Sequence, residues 1–326
     1  GGNAGSISNA NAIGIVSGDG YTGGLAGYNN SGASISNAYA SGGVSANYFV
    51  GGLVGENDGS ISNAYASGSV SGSDIVGGLV GFNSSGASIS NTYATGNASG
   101  NGNKIGALVG HNDAGGTVAA SFWLNSISTT GVGLQEGTVD SLTRGLSASE
   151  ASSASTYTAA GWDVATVGGS SAVWRSYDGS SMPLLRSFLT ALTVTTGNVS
   201  KTYDGTTSLS DSYTLSDSHA NTSLILGTAS YNTSSPNVGS YAIDTSGLYS
   251  SQQGYDISYV NGTATITAAT VATVVTTDNA PLLQAQQSEQ ATQTRTAPVV
   301  TSALDSQALE AISPSEVLVV LITLIH

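Results

Sequence analysis

The chain has no cysteine among its 326 residues, only 6 lysines and arginines, 3 histidines, one methionine, and charged residues at just 8%. Each scarcity removes a class of answer. Without cysteine there are no disulfides, thiolate nucleophiles or thiolate metal sites, which fits a protein exported by a route that avoids oxidative cross-linking. With 6 basic against 20 acidic residues, net −14, nothing resembles the clustered lysine and arginine footprint that nucleic acid requires, so nucleic acid is excluded as a partner. A membrane-spanning helix needs about 20 apolar residues. The apolar run Val317 to Ile325 is too short for that and is expected as a strand or short helix after the Pro314-Ser315 turn. Gly1 opens directly on repeat-like sequence without a basic and apolar leader, so the chain is expected to begin inside a longer protein.

What fills the space is repetition. Gly23-Gly24-Leu25-Ala26-Gly27 returns as Gly51-Gly52-Leu53-Val54-Gly55, Gly77-Gly78-Leu79-Val80-Gly81 and Gly106-Ala107-Leu108-Val109-Gly110, and its leucine recurs after 28, 26 and 29 residues. A second phrase keeps step: Ser6-Ile7-Ser8-Asn9, Ser34-Ile35-Ser36-Asn37, Ser60-Ile61-Ser62-Asn63, Ser88-Ile89-Ser90-Asn91, and the worn copy Thr117-Val118-Ala119-Ala120. Two phase-locked markers at this period predict a stacked solenoid with two fixed strands per unit and tolerant turns. Alternation along the second phrase predicts an inward row of Ile7, Ile35, Ile61, Ile89 and Val118. Leu25, Leu53, Leu79 and Leu108 give a second row. Tyr39, Tyr65, Tyr93 and Phe122 give a third, aromatic one, and Asn29, Asn57, Asn83 and Asn112 are placed to form an amide ladder. The glycines are read as tight corners that need unusual backbone angles. At about 4.8 Å per rung the array is a rod roughly 20–25 Å long.

After residue 122 the rhythm stops. Residues 123–190, with Trp162 and Trp174 and an expected short helix at Ser147 to Ser155, are read as a cap. Residues 191–268 alternate as strands at Leu192 to Thr195, Ser240 to Ile243 and Ala264 to Thr267, which predicts a small β-sandwich-like module. Residues 269–326 are read as linker and tail, flexible over the Gln/Thr/Ala/Pro-rich stretch 278–302. The predicted fold is therefore all-β: a parallel β-solenoid of four to five coils with a cap, a small sandwich and a tail.

Catalysis would need positioned titratable groups, and the sequence predicts none. His219 and His326 fall in a polar loop and at the terminus, and no histidine spacing suits zinc. The repeat acids are Asp19, Glu56, Asp58, Asp74 and Asp113. Asp58 and Asp113 share a slot about two coils, or ~10 Å, apart, a spacing compatible with an inverting glycosidase pair but without supporting subsites. Glu56-Asn57-Asp58-Gly59 falls short of a calcium loop. No cofactor or metal is expected. Since the repeated residues build the rod, binding is assigned to positions that vary between copies at the surface: Tyr28, Glu56, Phe82 and His111.

The Gly-Gly-Leu-Val-Gly phrase with Ser-Ile-Ser-Asn-Ala-Tyr-Ala resembles the GLUG motif of large bacterial surface proteins, including IgA-peptidase-like proteins and haemagglutinin-like adhesins. Lys201-Thr202-Tyr203-Asp204-Gly205-Thr206-Thr207 resembles the YDG signature of filamentous-haemagglutinin-type exoproteins, and Tyr255-Asp256-Ile257-Ser258-Tyr259 is similar to their closing strands. From the residues alone, Tyr203 is expected in the core beside an Asp-Gly turn. These resemblances imply a fragment of a secreted or surface-displayed adhesin of the two-partner secretion type, with an outer-membrane secretion partner and with host glycans or matrix proteins as ligands. The alternatives are a carbohydrate-active β-helix enzyme, the accessory stalk of a surface protease, or a stalk without a ligand.

Overall fold

The computed structural model describes residues 1–270, and the expected linker 278–302 and the apolar run Val317 to Ile325 lie outside them. Residues 1–146 wind into a parallel β-solenoid of about four turns. Each complete turn carries four short strands where the sequence signals two. In one turn these are Ala26–Asn29, Ser34–Ala40, Val44–Ser45 and Val50–Gly51, and each lies in register on its counterpart one turn later. The ladders run on past residue 122: Val132–Gln135 pairs with Val109–Asn112, Thr138–Val139 with Thr117–Ala119, and Arg144–Leu146 with Phe122–Leu124.

The predicted rows are present. Ile35, Ile61, Ile89 and Val118 stack inside the coil with Leu53, Leu79 and Leu108, all essentially removed from water. Beside them runs the amide ladder. Asn3 Nδ2 donates to Asn29 Oδ1 (2.8 Å), Asn29 to Asn57 (2.7 Å), Asn57 to Asn83 (2.8 Å) and Asn83 to Asn112 (2.7 Å). Asn57 Nδ2 also donates to the Gly59 and Ser88 carbonyls, so each amide ties its own corner to the next turn.

The Gly-Leu phrase folds the strand Val50–Gly51 back against Val54–Asn57 with no side chain between them. A Cβ on Gly51 would overlap the Val54 carbonyl, and one on Gly52 would overlap the Gly78 carbonyl of the next turn. These glycines therefore serve close approach, and none of the motif glycines has positive φ. The corner expected of glycine is made by asparagine instead. Asn37, Asn63 and Asn91 adopt φ of 49°, 48° and 53°, the left-handed region that asparagine tolerates better than most side chains. That kink separates Ser34-Ile35-Ser36 from Ala38-Tyr39-Ala40. It turns the tyrosines into a second cluster while Ile35, Ala38 and Ala40 stay in the core.

Tyr39, Tyr65 and Tyr93 stack with ring centroids 5.0 and 4.7 Å apart, and the segment expected as a cap covers this flank. Trp162, Trp174 and Leu185 pack on the row, Tyr93 Oη donates to Pro183 O (3.0 Å), and Trp174 Nε1 donates to Asn63 Oδ1 (3.3 Å). The expected helix is two short ones, Ala148–Ala151 and Ala154–Ala159. The first is held by a capping box in which Ser147 N donates to Glu150. That hydrogen bond is the main cause of a Glu150 pKa lowered to about 2.

The 190–267 module is built from two three-stranded sheets and one two-stranded sheet; Leu192, Val194 and Ile257 of one three-stranded sheet and Leu248 of the two-stranded sheet share an apolar cluster. It joins the flank segment through Tyr177 and Leu184, which pack in the same cluster, and through polar groups. Gln252 exchanges two hydrogen bonds of 2.7 Å with the Leu185 backbone, and Arg175 and Arg186 both pair with the buried Asp256 carboxylate. Tyr203 is 44% exposed, not in the core. Lys201 takes the inner position, its ammonium bonding Thr206 O (2.9 Å), Ser208 O (2.7 Å) and Asp204 (2.8 Å), and the chain turns outward at Tyr203 before the Asp-Gly turn.

Asn57→Ala leaves Asn29 without its acceptor and Asn83 without its donor inside a dry coil. The expected loss is roughly 2–4 kcal/mol in denaturant unfolding, against under ~0.5 kcal/mol for replacing an exposed residue such as Ser31.

Candidate functional site

Because each turn sits in register on the next, residues at one slot form a column. Tyr28, Glu56, Phe82 and His111 are consecutive members of such a column, continued by Leu134. The structure thus brings all four sequence-selected positions onto one strip. Their exposure differs from expectation: Tyr28, Glu56 and Phe82 are half-buried and His111 is buried, 7% exposed. The Phe82 ring lies against His111 on one side, at 4.9 Å between centroids, and Glu136 closes over it on the other.

A second column, missed in the sequence, stands beside the first. Thr22 pairs with Val50 and Val50 with Val76, while Ile75 pairs with Lys104, so Tyr21, Phe49, Ile75 and Lys104 share a slot. The two columns interlock through aromatic contacts. Tyr21 meets Tyr28 edge-on (6.0 Å) and stacks on Phe49 (4.8 Å, 16° between planes), and Phe49 meets Phe82 edge-on (5.6 Å). An aromatic chain therefore runs Tyr28, Tyr21, Phe49, Phe82, His111 along the stack. Phe49 holds its place at φ 41°, a conformation costing a bulky residue of order 1–2 kcal/mol. Its slot varies among tyrosine, phenylalanine, isoleucine and lysine, so no repeated letter marked it.

Polar groups line this strip. Tyr28 Oη donates to Asp58, Ser84 Oγ donates to Glu56 Oε1 (3.4 Å), and Asn47 Nδ2 donates to Asp19. Desolvation raises the Glu56 pKa above its ordinary value, with the Ser84 hydrogen bond opposing it. Tyr28 and Phe82 are its register neighbours on the adjoining turns. Asp58 and Asp113 are separated by Ser84 in the next column, and Asp58 is occupied by Tyr28. Asp113 lies instead with His111 and Glu136. Their potential ligand atoms are all within 4.8 Å of one another, the one group of this kind among the described residues. Glu136 follows a worn rung, Val132-Gly133-Leu134-Gln135, that lacks the Gly-Leu phrase, which is why it carried no signal in the sequence.

Residues 46–71 match the family model Glug, the GLUG motif. They span one turn, from the strip through Gly51-Gly52-Leu53 to the Ser60-Ile61-Ser62-Asn63 corner. No curated protein and no solved structure matches the chain.

Glu56 has a folded-state pKa above its unfolded value. Its favourable contribution is therefore present at low pH, where it is protonated in both states, and is lost as pH rises through the folded pKa. Glu56→Gln, which keeps the neutral form, is expected to raise Tm at pH 7, and the difference from wild type should vanish near pH 3 when both are followed by thermal unfolding.

Proposed function

We propose that this chain is a secreted or surface-displayed bacterial repeat protein of the GLUG kind, working without catalysis as an adhesin whose solenoid presents the aromatic strip to host glycans or matrix proteins. The observation that carries this reading is the continuous aromatic chain from Tyr28 to His111, flanked by Glu56, Asp58 and Asp19. Aromatic faces bury the apolar faces of sugar rings while neighbouring carboxylates and amides accept and donate to hydroxyls, the usual balance of an apolar surface with a few placed polar groups. Repeated contacts along a rigid stack add as avidity. The GLUG match over residues 46–71 supports a surface location, and the YDG-like module fits a spacer. Passage through an outer-membrane secretion partner follows from the same resemblance.

The test is binding of the full chain to glycan arrays and immobilised matrix proteins. Wild-type protein should bind a defined subset, and Tyr21→Ala, at a half-exposed ring, should weaken that binding about tenfold, ~1.4 kcal/mol, with the native far-UV circular dichroism spectrum and a cooperative unfolding transition retained. A blank array and blank matrix surfaces would leave a stalk without a ligand. Undiminished binding by Tyr21→Ala would place the ligand elsewhere.

A further inference from the structure

We infer that His111, Asp113 and Glu136 form a site for a single divalent cation of the zinc class, at the end of the aromatic strip. The register creates the arrangement. Asn112 pairs with Gln135, so the residues that follow them, Asp113 and Glu136, stand side by side on consecutive rungs, and His111 lies two residues before Asp113 on the same rung. The His111 Nε2 and Glu136 Oε2 atoms are 3.1 Å apart, and one ligand atom from each of the three residues lies within 4.8 Å of the others.

Like charges set directly opposite on paired strands are destabilising, and this column otherwise avoids them. Its earlier members are Asn30, Asp58 and Ser84, the single acid standing between neutral neighbours. Only at Asp113 and Glu136 do two carboxylates meet. Among the described residues neither is paired with a lysine or arginine. The group that faces them is the His111 imidazole, whose side chain is 8% exposed and whose Nδ1 has no hydrogen-bond partner. The ring is thus already desolvated, fixed against Phe82, and has the Glu136 carboxylate as its polar neighbour.

One imidazole nitrogen and two carboxylate oxygens are a donor set for zinc-like ions, whereas calcium takes six to eight oxygens. Ligands 2.0–2.2 Å from a tetrahedral ion stand about 3.3–3.6 Å apart. The one direct separation, 3.1 Å between His111 Nε2 and Glu136 Oε2, is close to that value, Asp113 lies within 4.8 Å of both, and the half-exposed Glu136 side chain is free to adjust. Water would complete the shell. Since His111 and Asp113 lie on one rung and Glu136 on the next, the ion would clip the last rung to the one before it.

The experiment uses the full chain after chelator treatment. Titration with Zn²⁺ by calorimetry should show one saturable site per chain, Zn²⁺ should raise Tm, and Co²⁺ should give visible absorption bands of a low-coordinate nitrogen and oxygen site. Asp113→Asn and Glu136→Gln should each weaken Zn²⁺ binding at least tenfold, and Asp74→Asn, which removes an acid elsewhere on the repeat, should not. Glu136 is exposed enough that its substitution leaves folding intact. Absence of saturable binding would overturn the assignment. So would equal affinity in Asp113→Asn, Glu136→Gln and wild type, which would mean diffuse attraction to a chain of net charge −14.

Discussion

The buried file of asparagines from Asn3 to Asn112 sets the register on which the rest of the molecule depends. A parallel ladder of short, serine-rich strands has little of its own to prevent slippage, because one small polar residue replaces another at small cost. An amide inside the coil changes that. Displacing one turn by a residue would leave its donor and acceptor unpaired in a dry interior, where each lost partner costs about 1–3 kcal/mol. The ladder thus converts an approximate sequence period into alignment at every rung. That alignment stacks the isoleucines and leucines, lays the tyrosines face on face, and lines up the variable slots into columns.

The same alignment creates two demands that the sequence meets elsewhere. Strands folded back on each other within a turn come so close that the Gly-Leu phrase must be bare of side chains, so its glycines are steric spacers. The left-handed asparagine corner turns the tyrosine row away from the coil, where it would be a large exposed aromatic patch. Trp162, Trp174 and Leu185 cover it. The segment that supplies them in turn carries Arg175 and Arg186, whose pairing with Asp256 attaches the β module to the same flank.

What repeated was legible. Ile35, Leu53, Tyr65 and Asn57 each recur with the period, and periodicity is what burial on a stacked scaffold writes into a sequence. The all-β solenoid and the four-residue column of Tyr28, Glu56, Phe82 and His111 followed from that alone. Features that depend on distance between phrases were not legible. The reason for glycine at position 52 is a carbonyl one turn away, and Tyr21 and Phe49 belong together only once Thr22 and Val50 are seen to pair. His111 reads as a surface residue because its slot varies, yet its own turn places Phe82 on one side and Glu136 on the other. Glu136 was silent because its rung has lost the repeated letters while keeping the backbone. Tyr203 is expected inside beside the Asp-Gly turn, a reading that fails because Lys201 finds four oxygens within that turn and takes the inner position.

A surface of columns fixed by an internal ladder separates scaffold from recognition: residues in the file cannot vary, and those on the strip can. The direct measurement of this account is side-chain amide hydrogen exchange at Asn29, Asn57 and Asn83 by NMR. If the ladder holds the stack, their Nδ2 protons exchange only through opening of the whole solenoid, with protection matching that of the Ile61 and Leu53 backbone amides. Exchange as fast as that of solvent-exposed asparagines, with the backbone still protected, would contradict it.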